Sequence, residues 1–179
     1  MQELNHSNEV RLHSLQAVND GSCIVILEEV TGTRLLPIHA GATEVNAIAL
    51  HAGGVTLPRP MTHDLMHSLV EALGGRVLRV DIHEVEDDVF HARLTIERDG
   101  NRITIDARPS DAINLAIRAR APIFVSEDVF TRTDLVLKPI EEGEVERFKR
   151  ELERTDPLEA LRALEGKPAP IEPGSEDLG

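Results

Sequence analysis

A repeat of period two runs through the middle of the chain. Apolar and polar residues alternate over residues 77–85 and 89–98, and the alternation resumes at Ile103 after the pair Asp99-Gly100. This alternation predicts strands with one face in the core, and an Asp-Gly pair is typical of a two-residue hairpin turn. The segment therefore predicts a three-stranded antiparallel meander with one apolar face and one face in solvent.

Helical patterns lie on both sides of this meander. Leucines recur every fourth residue from Leu65 to Leu73, which predicts a helix that begins at a Thr62 cap. Thr43 and Ser110 are the predicted caps of two further helices, which end near residues 50 and 118. Additional strands are predicted over 10–18, 23–29, 34–38 and 122–125. We therefore expect an α+β fold, in which helices pack against a mostly antiparallel sheet.

The composition divides the chain into four segments. Residues 1–9 are polar and expected to be frayed, and residues 10–137 form the predicted domain. Residues 138–166 carry apolar residues at helical spacing, which predicts an amphipathic helical extension. Residues 167–179 are rich in proline and acidic residues, which predicts a disordered acidic tail.

Cysteine usage and hydropathy indicate the compartment. Cys23, the single cysteine, excludes an intramolecular disulfide, and its apolar neighbours predict a buried thiol. The chain has neither an opening signal segment nor an apolar run as long as a bilayer span. We therefore expect a cytoplasmic protein that does not contact a membrane.

The net charge of −13 limits the possible partners. Passive binding to long nucleic-acid duplexes depends on lysine and arginine, and here 32 acidic side chains outnumber 19 basic ones. Transient binding of a nucleic-acid substrate is compatible with this balance, because carboxylates can hold a divalent metal that faces the phosphate.

Two predicted junctions, each leading into a helix, gather charged side chains. The first carries Arg59 in a proline-stiffened loop and His63 in the first helical turn. The second runs from Asp106 through Arg108 to Asp111. Helix N-termini attract anions, so both junctions are candidate phosphate sites. If they meet, carboxylates can hold Mg²⁺ or Mn²⁺, arginine can bind phosphate and histidine can move a proton.

Each of these residues also has a structural interpretation. Acidic residues in a first helical turn, such as Asp64 and Asp111, can serve only to stabilise the helix through their favourable interaction with its dipole. Asp106 and Arg108 can form a buried ion pair between strand and helix. The i, i+4 spacing of His63 and His67 resembles a zinc pair, but no third ligand follows.

Three segments carry the clearest resemblance to known proteins: RLLPIHAGATEVNAIAL, LPRPMTHDLMHSLVEALGGRVLRVDI and ITIDARPSDAINLAIRARAPIFV. In residue identity, order and spacing they resemble the bifunctional nuclease family over about residues 10–137. The resemblance implies a compact α+β fold and an activity that degrades both RNA and DNA. The functional residues that it implies are Glu44, Arg59, His63, Asp64, Asp106, Arg108, Ser110 and Asp111. His39-Ala40 and Val45 depart from the family pattern, which weakens the assignment of Glu44.

The leading hypothesis is a metal-assisted nuclease. In this hypothesis the metal ligands for Mg²⁺ or Mn²⁺ are Glu44, Asp106 and Asp111. The phosphate ligands are Arg59, Arg108 and Ser110. The catalytic residues are His63, Asp64, Asp106 and Asp111. The alternative is a non-enzymatic regulatory protein that binds a phosphorylated small molecule or a protein partner. The shortage of basic and aromatic side chains favours that alternative, because single-strand binders stack bases on aromatic rings. A third hypothesis is a purely structural oligomerisation module, in which the amphipathic tail packs on a second copy. We also expect a homo-oligomer such as a dimer.

Overall fold

The computed structural model describes residues 7–18, 22–31 and 34–133. The chain divides after Pro139, and every described residue belongs to the unit before that point. The predicted helical extension over 138–166 and the acidic tail over 167–179 lie outside the described residues.

Seven strands and four helices form within the described residues, in agreement with the predicted α+β class. None of these helices is long and apolar enough to span a membrane. The elements in chain order are β1 (Ser7–Ala17), β2 (Cys23–Glu29), β3 (Leu35–Ala40), α1 (Ala42–Ala52), α2 (Thr62–Ala72), β4 (Gly75–Glu86), β5 (Val89–Arg98), β6 (Asn101–Ala107), α3 (Pro109–Ala119), β7 (Ile123–Ser126) and α4 (Glu127–Arg132).

All seven strands form one sheet in the order β3-β2-β1-β7-β4-β5-β6. Neighbouring strands are antiparallel except β4 and β7, which pair in parallel. The predicted meander is β4-β5-β6, and β1-β2-β3 forms a second one. Ile123 of β7 lies opposite Val10 on one side and Val80 on the other, so this short strand joins the two meanders.

The helix α3 carries much of the core. It packs against α1, α2, β4 and β5, and Ile113 and Ala116 on its inner face are fully buried. Phe130 of α4 is also buried, although the sequence predicted no helix there. Cys23 is buried and free, as predicted.

The structure corrects several predicted boundaries. β1 begins at Ser7 and pairs with Ser126, so residues 7–9 are not frayed. The predicted caps Thr43, Thr62 and Ser110 all lie inside their helices, because the N-cap positions are Gly41, Met61 and Arg108. Each helix thus starts one or two residues earlier than a search for capping side chains suggests.

The leucine repeat of α2 faces outward. Leu65 and Leu69 are 52% exposed and Leu73 is 63% exposed, and His63 is the buried residue of this helix. The edge strand β6 also leaves the apolar side of the meander open at Ile103 and Ile105. Periodicity therefore predicted the helix and the strand correctly, but it did not indicate that these apolar side chains are exposed to solvent.

Candidate functional site at the start of helix α3

The turn from β6 into α3 positions the first pair of charged side chains. Arg108 is the N-cap with an extended backbone (φ −66°, ψ 142°), and Pro109 follows as the first helical residue. Proline suits this position because its fixed φ matches the helix and its missing N–H is not needed there. The N–H groups of Asp111 and Ala112 both donate to the Arg108 carbonyl, which closes the first turn.

Four side chains from three helices meet at this turn, and we call Glu44, His63, Arg108 and Asp111 the Asp111 cluster. His63 Nε2 lies 3.0 Å from Asp111 Oδ1. Arg108 donates from Nε to Asp111 Oδ2 at 2.8 Å and from Nη2 to Glu44 Oε1 at 2.7 Å. The cluster therefore links the N-terminal turns of α1, α2 and α3.

Contacts within the Asp111 cluster favour the charged forms of Asp111 and Arg108. Burial alone raises the pKa of the Asp111 carboxyl, but the bonds from Arg108 and His63 and their charges outweigh it, so the pKa lies below its ordinary value. Bonds to Asp111 and Glu44 raise the pKa of Arg108 above its already high value. The Arg108 side chain is 67% exposed, so the cluster presents a cation to solvent.

Gly41 leaves room for the Glu44 carboxylate. Gly41 is the N-cap of α1, and a Cβ at this position would collide with Oε2 of Glu44. The Gly41 backbone is in the extended region (φ −69°, ψ 150°), so any residue can adopt it. Space for the Glu44 carboxylate, and not backbone freedom, is therefore what glycine provides here.

Further along α3, Arg118 forms a second set of contacts. Its Nε donates to Asp64 Oδ1 at 2.7 Å and its Nη1 to Asn114 Oδ1 at 2.9 Å, and Nη2 reaches the Ala47 carbonyl at 3.3 Å. Asn114 is fully buried and donates to the carbonyls of Glu44 and Ser110, each at 3.0 Å. We call Asp64, Asn114 and Arg118 the Arg118 cluster.

A cavity of about 320 Å³ adjoins the Arg118 cluster, and we call it the Arg59 pocket. Arg59, His51, Asp64 and Arg118 supply its charged and titratable lining. Burial of His51 and the charge of Arg118 lower the pKa of that imidazole. Burial raises the pKa of Asp64, but bonds from the Met61 N–H and from Arg118 outweigh it and leave that pKa below normal.

The sequence model described as the bifunctional nuclease domain matches residues 25–138, which include both clusters and the Arg59 pocket. The chain belongs to the bifunctional nuclease domain family. Uncharacterized protein Rv1829 of Mycobacterium tuberculosis is 38% identical over 143 residues, which are 75% of this chain and 85% of that protein.

Plant members of the family are more distant. Bifunctional nuclease 1 of Oryza sativa subsp. japonica is 30% identical over 125 residues, which are 68% of this chain and 38% of that protein. Bifunctional nuclease 2 of Arabidopsis thaliana is 32% identical over 112 residues, which are 59% of this chain and 33% of that protein. The chain thus spans little more than a third of these plant proteins.

Within this bifunctional nuclease domain the two predicted junctions meet. His63 of the first contacts Asp111 of the second, with Glu44 and Arg108 beside them. Asp64 and Arg59 lie by the neighbouring Arg59 pocket. Ser110 is buried in the first turn of α3, where its carbonyl accepts a bond from Asn114.

Asp106 stands apart from the cluster. It is exposed on β6 opposite Arg93, and within the described part of the chain no hydrogen bond or ion pair to its side chain is present. The predicted Asp106–Arg108 ion pair is therefore not formed, because Arg108 turns to Asp111 and Glu44 instead.

The predicted metal ligands do not form a ligand set as they stand. Arg108 bonds to both Glu44 and Asp111, and Asp106 lies outside the Asp111 cluster. Over residues 7–18, 22–31 and 34–133, no group of three or more His, Cys, Asp or Glu side chains is placed to hold a metal ion. Binding of Mg²⁺ or Mn²⁺ stays a prediction.

Sequence reasoning missed His51, Asn114 and Arg118. A signal existed for two of them, since Ser110, Asn114 and Arg118 follow each other at i, i+4 spacing along α3. Such a polar line on a helix packed between two others predicts bonds to its neighbours. His51 offered no comparable signal, because its role depends on the loop that closes the Arg59 pocket.

Proposed function

We propose that this protein is a nuclease that hydrolyses phosphodiester bonds in RNA and DNA, with the Asp111 cluster as its reaction centre. Membership of the bifunctional nuclease domain family supports the activity. The observation that carries the assignment of the site is the buried imidazole of His63, bonded to Asp111 at 3.0 Å beside the exposed Arg108. An oriented proton carrier next to a phosphate-binding cation is what hydrolysis of a phosphodiester needs.

Arg108 binds the scissile phosphate in this proposal. Its Nε and Nη2 donate to Asp111 and Glu44, and within the described residues no protein acceptor engages Nη1. The two carboxylates hold the guanidinium plane while the free edge faces solvent at the N-terminus of α3. The helix dipole adds to the attraction for an anion there.

His63 moves the proton. The ionised Asp111 accepts the bond from Nε2 and fixes the ring orientation and tautomer, which leaves Nδ1 as the base. A water oxygen bonds to phosphorus as its proton passes to Nδ1, and the ester P–O bond breaks. His63 then returns the proton to the departing oxygen. Asp111 acts through His63 and is a positioning residue.

The net charge of −13 bears on the substrate. A long duplex concentrates phosphate charge that this acidic surface repels, so we expect short or single-stranded RNA and DNA to be cleaved best.

Cleavage of end-labelled single-stranded DNA and RNA by the full chain tests the proposal. Parallel reactions contain a chelator, Mg²⁺ or Mn²⁺, so any metal requirement is read from the same gel. We expect His63→Ala to lower the rate by about a hundredfold or more, which is the usual contribution of acid–base catalysis. His67→Ala is the matched control, because His67 is one turn further along α2 and forms its ion pair, within the described residues, with Glu71.

Two results contradict the proposal. Equal cleavage by the His63→Ala and His67→Ala proteins removes His63 from the reaction. Undiminished cleavage by the Asp111→Ala protein indicates a contaminating nuclease.

The Arg59 pocket favours a second candidate function. It is a separate cavity lined by two arginines, which suits a phosphorylated small molecule. A thermal-shift screen with nucleotides in the absence of metal tests this binding role. Stabilisation by a nucleotide that is lost in Arg59→Ala, without cleavage of any substrate, supports the non-enzymatic function.

A further inference from the structure

The strand β6 forms one edge of the sheet and leaves two isoleucines exposed. Residues 101–106 are all exposed, including Ile103 at 45% and Ile105 at 43%. Edge strands normally carry charges or bulges that prevent pairing with another chain. An unpaired edge strand with two exposed isoleucines is therefore a surface on which another strand can pair.

The apolar stripe of α2 lies on the same side of the sheet. Ile103 and Ile105 pair with Ile96 and Leu94 of β5, so all four side chains share the face that the helices cover. Val70 of α2 packs near this Ile96, which places α2 over that face. The exposed Leu65, Leu69 and Leu73 thus add to the apolar surface on the side of the sheet where the two isoleucines are open.

The backbone of β6 is available for pairing. Asp99 and Gly100 form a two-residue turn with positive φ at both positions, and Arg98 lies opposite Asn101. In such a hairpin the residues that flank the turn bond to each other, and the bonding direction then alternates along the strand. The N–H and C=O groups of Arg102, Thr104 and Asp106 accordingly point away from β5.

We propose that two copies of this chain pair β6 to β6, antiparallel, about a two-fold axis at Thr104. In this register Arg102 lies opposite the partner's Asp106, and Ile103 lies opposite the partner's Ile105. Both charges are neutralised, and each outward-facing backbone group meets its counterpart. The two seven-stranded sheets become one continuous sheet.

The charge pattern selects this occupant and this register. The sequence Arg-Ile-Thr-Ile-Asp over residues 102–106 is complementary to itself when reversed, as a two-fold interface requires. Moving the axis to Ile103 or Ile105 leaves a charged side chain opposite Thr104. Moving it to Arg102 or Asp106 places that charge opposite its own copy, which is unfavourable.

The pairing also gives Asp106 a cationic partner that the described residues of its own chain do not supply. The partner's Arg102 would stand beside Asp106, close along the chain to Arg108 and the Asp111 cluster.

Charge reversal on the full chain tests the interface, with mass by light scattering and native mass spectrometry as readout. We expect the wild type to be a dimer. Arg102→Asp and Asp106→Arg each place like charges opposite one another twice per dimer, so each should weaken dimerisation about tenfold or more. The double variant R102D/D106R restores opposite charges and should dimerise again. Glu84→Arg, an exposed charge reversal on β4 away from the edge, should leave the mass unchanged.

A mixture of the two single variants tests the pairing most specifically, because Arg102→Asp chains and Asp106→Arg chains are complementary only to each other. In a dilution series they should form a heterodimer at concentrations where each alone is mostly monomeric, and this also proves that both are folded. A monomeric wild type overturns the proposal, as does a single variant that dissociates on dilution no more readily than the wild type, or a mixture without heterodimer. Since mass alone is measured, these outcomes are independent of nuclease activity.

Discussion

Arg108 and Arg118 stand near the two ends of α3 and differ in what surrounds them. Each donates to a carboxylate of another helix, Arg108 to Glu44 of α1 and Arg118 to Asp64 of α2. The Arg108 side chain is 67% exposed, whereas that of Arg118 is 4% exposed. The same residue type on the same helix is therefore a cation offered to solvent at one end and a buried connector at the other.

The difference lies in how many acceptors each guanidinium meets. Arg118 bonds to a carboxylate, a side-chain amide and two backbone carbonyls, and the acceptors on Ala47 and Asn114 belong to fully buried residues. Arg108 meets two carboxylates at the rim and keeps one edge open. A buried arginine of this kind stabilises the fold, and an exposed arginine that is held in place is suited to bind an anion.

The largest effect on stability is expected for Arg118→Ala. Removing this guanidinium leaves Asp64, Asn114 and two carbonyls without their donor, which should lower the free energy of unfolding by about 3 kcal/mol. Arg108→Ala, at an exposed position, should lower it by about 1 kcal/mol or less. Urea denaturation of both variants measures the contrast. Equal losses of stability would erase the distinction between the two arginines.

We expect a large loss of cleavage activity for Arg108→Ala, the variant with the smaller expected loss of stability. Under the proposed function, Arg108→Ala removes the cation that holds the phosphate and should reduce the rate by about a hundredfold, a typical value for one electrostatic contact to a transition state. Arg108→Lys keeps the charge but not the planar fork, so it should recover only part of the activity. The assay uses labelled single strands below their KM. An Arg108→Ala protein as active as the wild type would leave the exposed guanidinium without a role.

Acid titration sharpens the comparison at the buried end. The pKa of Asp64 lies below its ordinary value of 3.8, so its contribution to stability is fully present above pH 3.8 and is lost as the pH falls through the lower folded pKa. Asp64→Asn should cost about 1 kcal/mol at neutral pH, discounted because Asp64 is partly exposed, and almost nothing in strong acid. Urea midpoints of both proteins over a pH series measure the difference. A gap that stays constant down to the lowest pH would exclude ionised Asp64 as its source.

The fold could be predicted from the sequence where a periodic pattern extends over many residues. Two-residue alternation and the Asp99-Gly100 turn predicted the β4–β6 meander. The boundaries were less predictable, because the N-caps of α1, α2 and α3 are Gly41, Met61 and Arg108, and none of these side chains forms a capping hydrogen bond. The six-residue α4 is too short to produce a helical repeat of its own.

The site was predictable only in its main residues. The motif around Arg108 and Asp111 and the motif around His63 indicated two charged junctions, and the structure brings them into contact. The sequence did not reveal that Asp106 would face solvent on an edge strand, because strand order is a tertiary property. Nor did it separate the exposed Arg108 from the buried Arg118, since burial depends on how α3 packs between α1 and α2.

The smallest expected effect tests how tightly Arg108 must be held. In Gly41→Ala the added Cβ displaces the Glu44 carboxylate while the backbone stays in its allowed region. Arg108 then loses one of its two carboxylate partners, which should lower cleavage about two- to fivefold, the equivalent of one surface ion pair. The free energy of unfolding should change by less than about 1 kcal/mol. Glu44→Ala should have the same effect, and the double variant should be no worse than either single one, because both substitutions act through the same carboxylate. Additive losses in that double-mutant cycle would mean that Gly41 affects the site by a route other than Glu44, and the open edge of Arg108 would then not depend on its partner from α1.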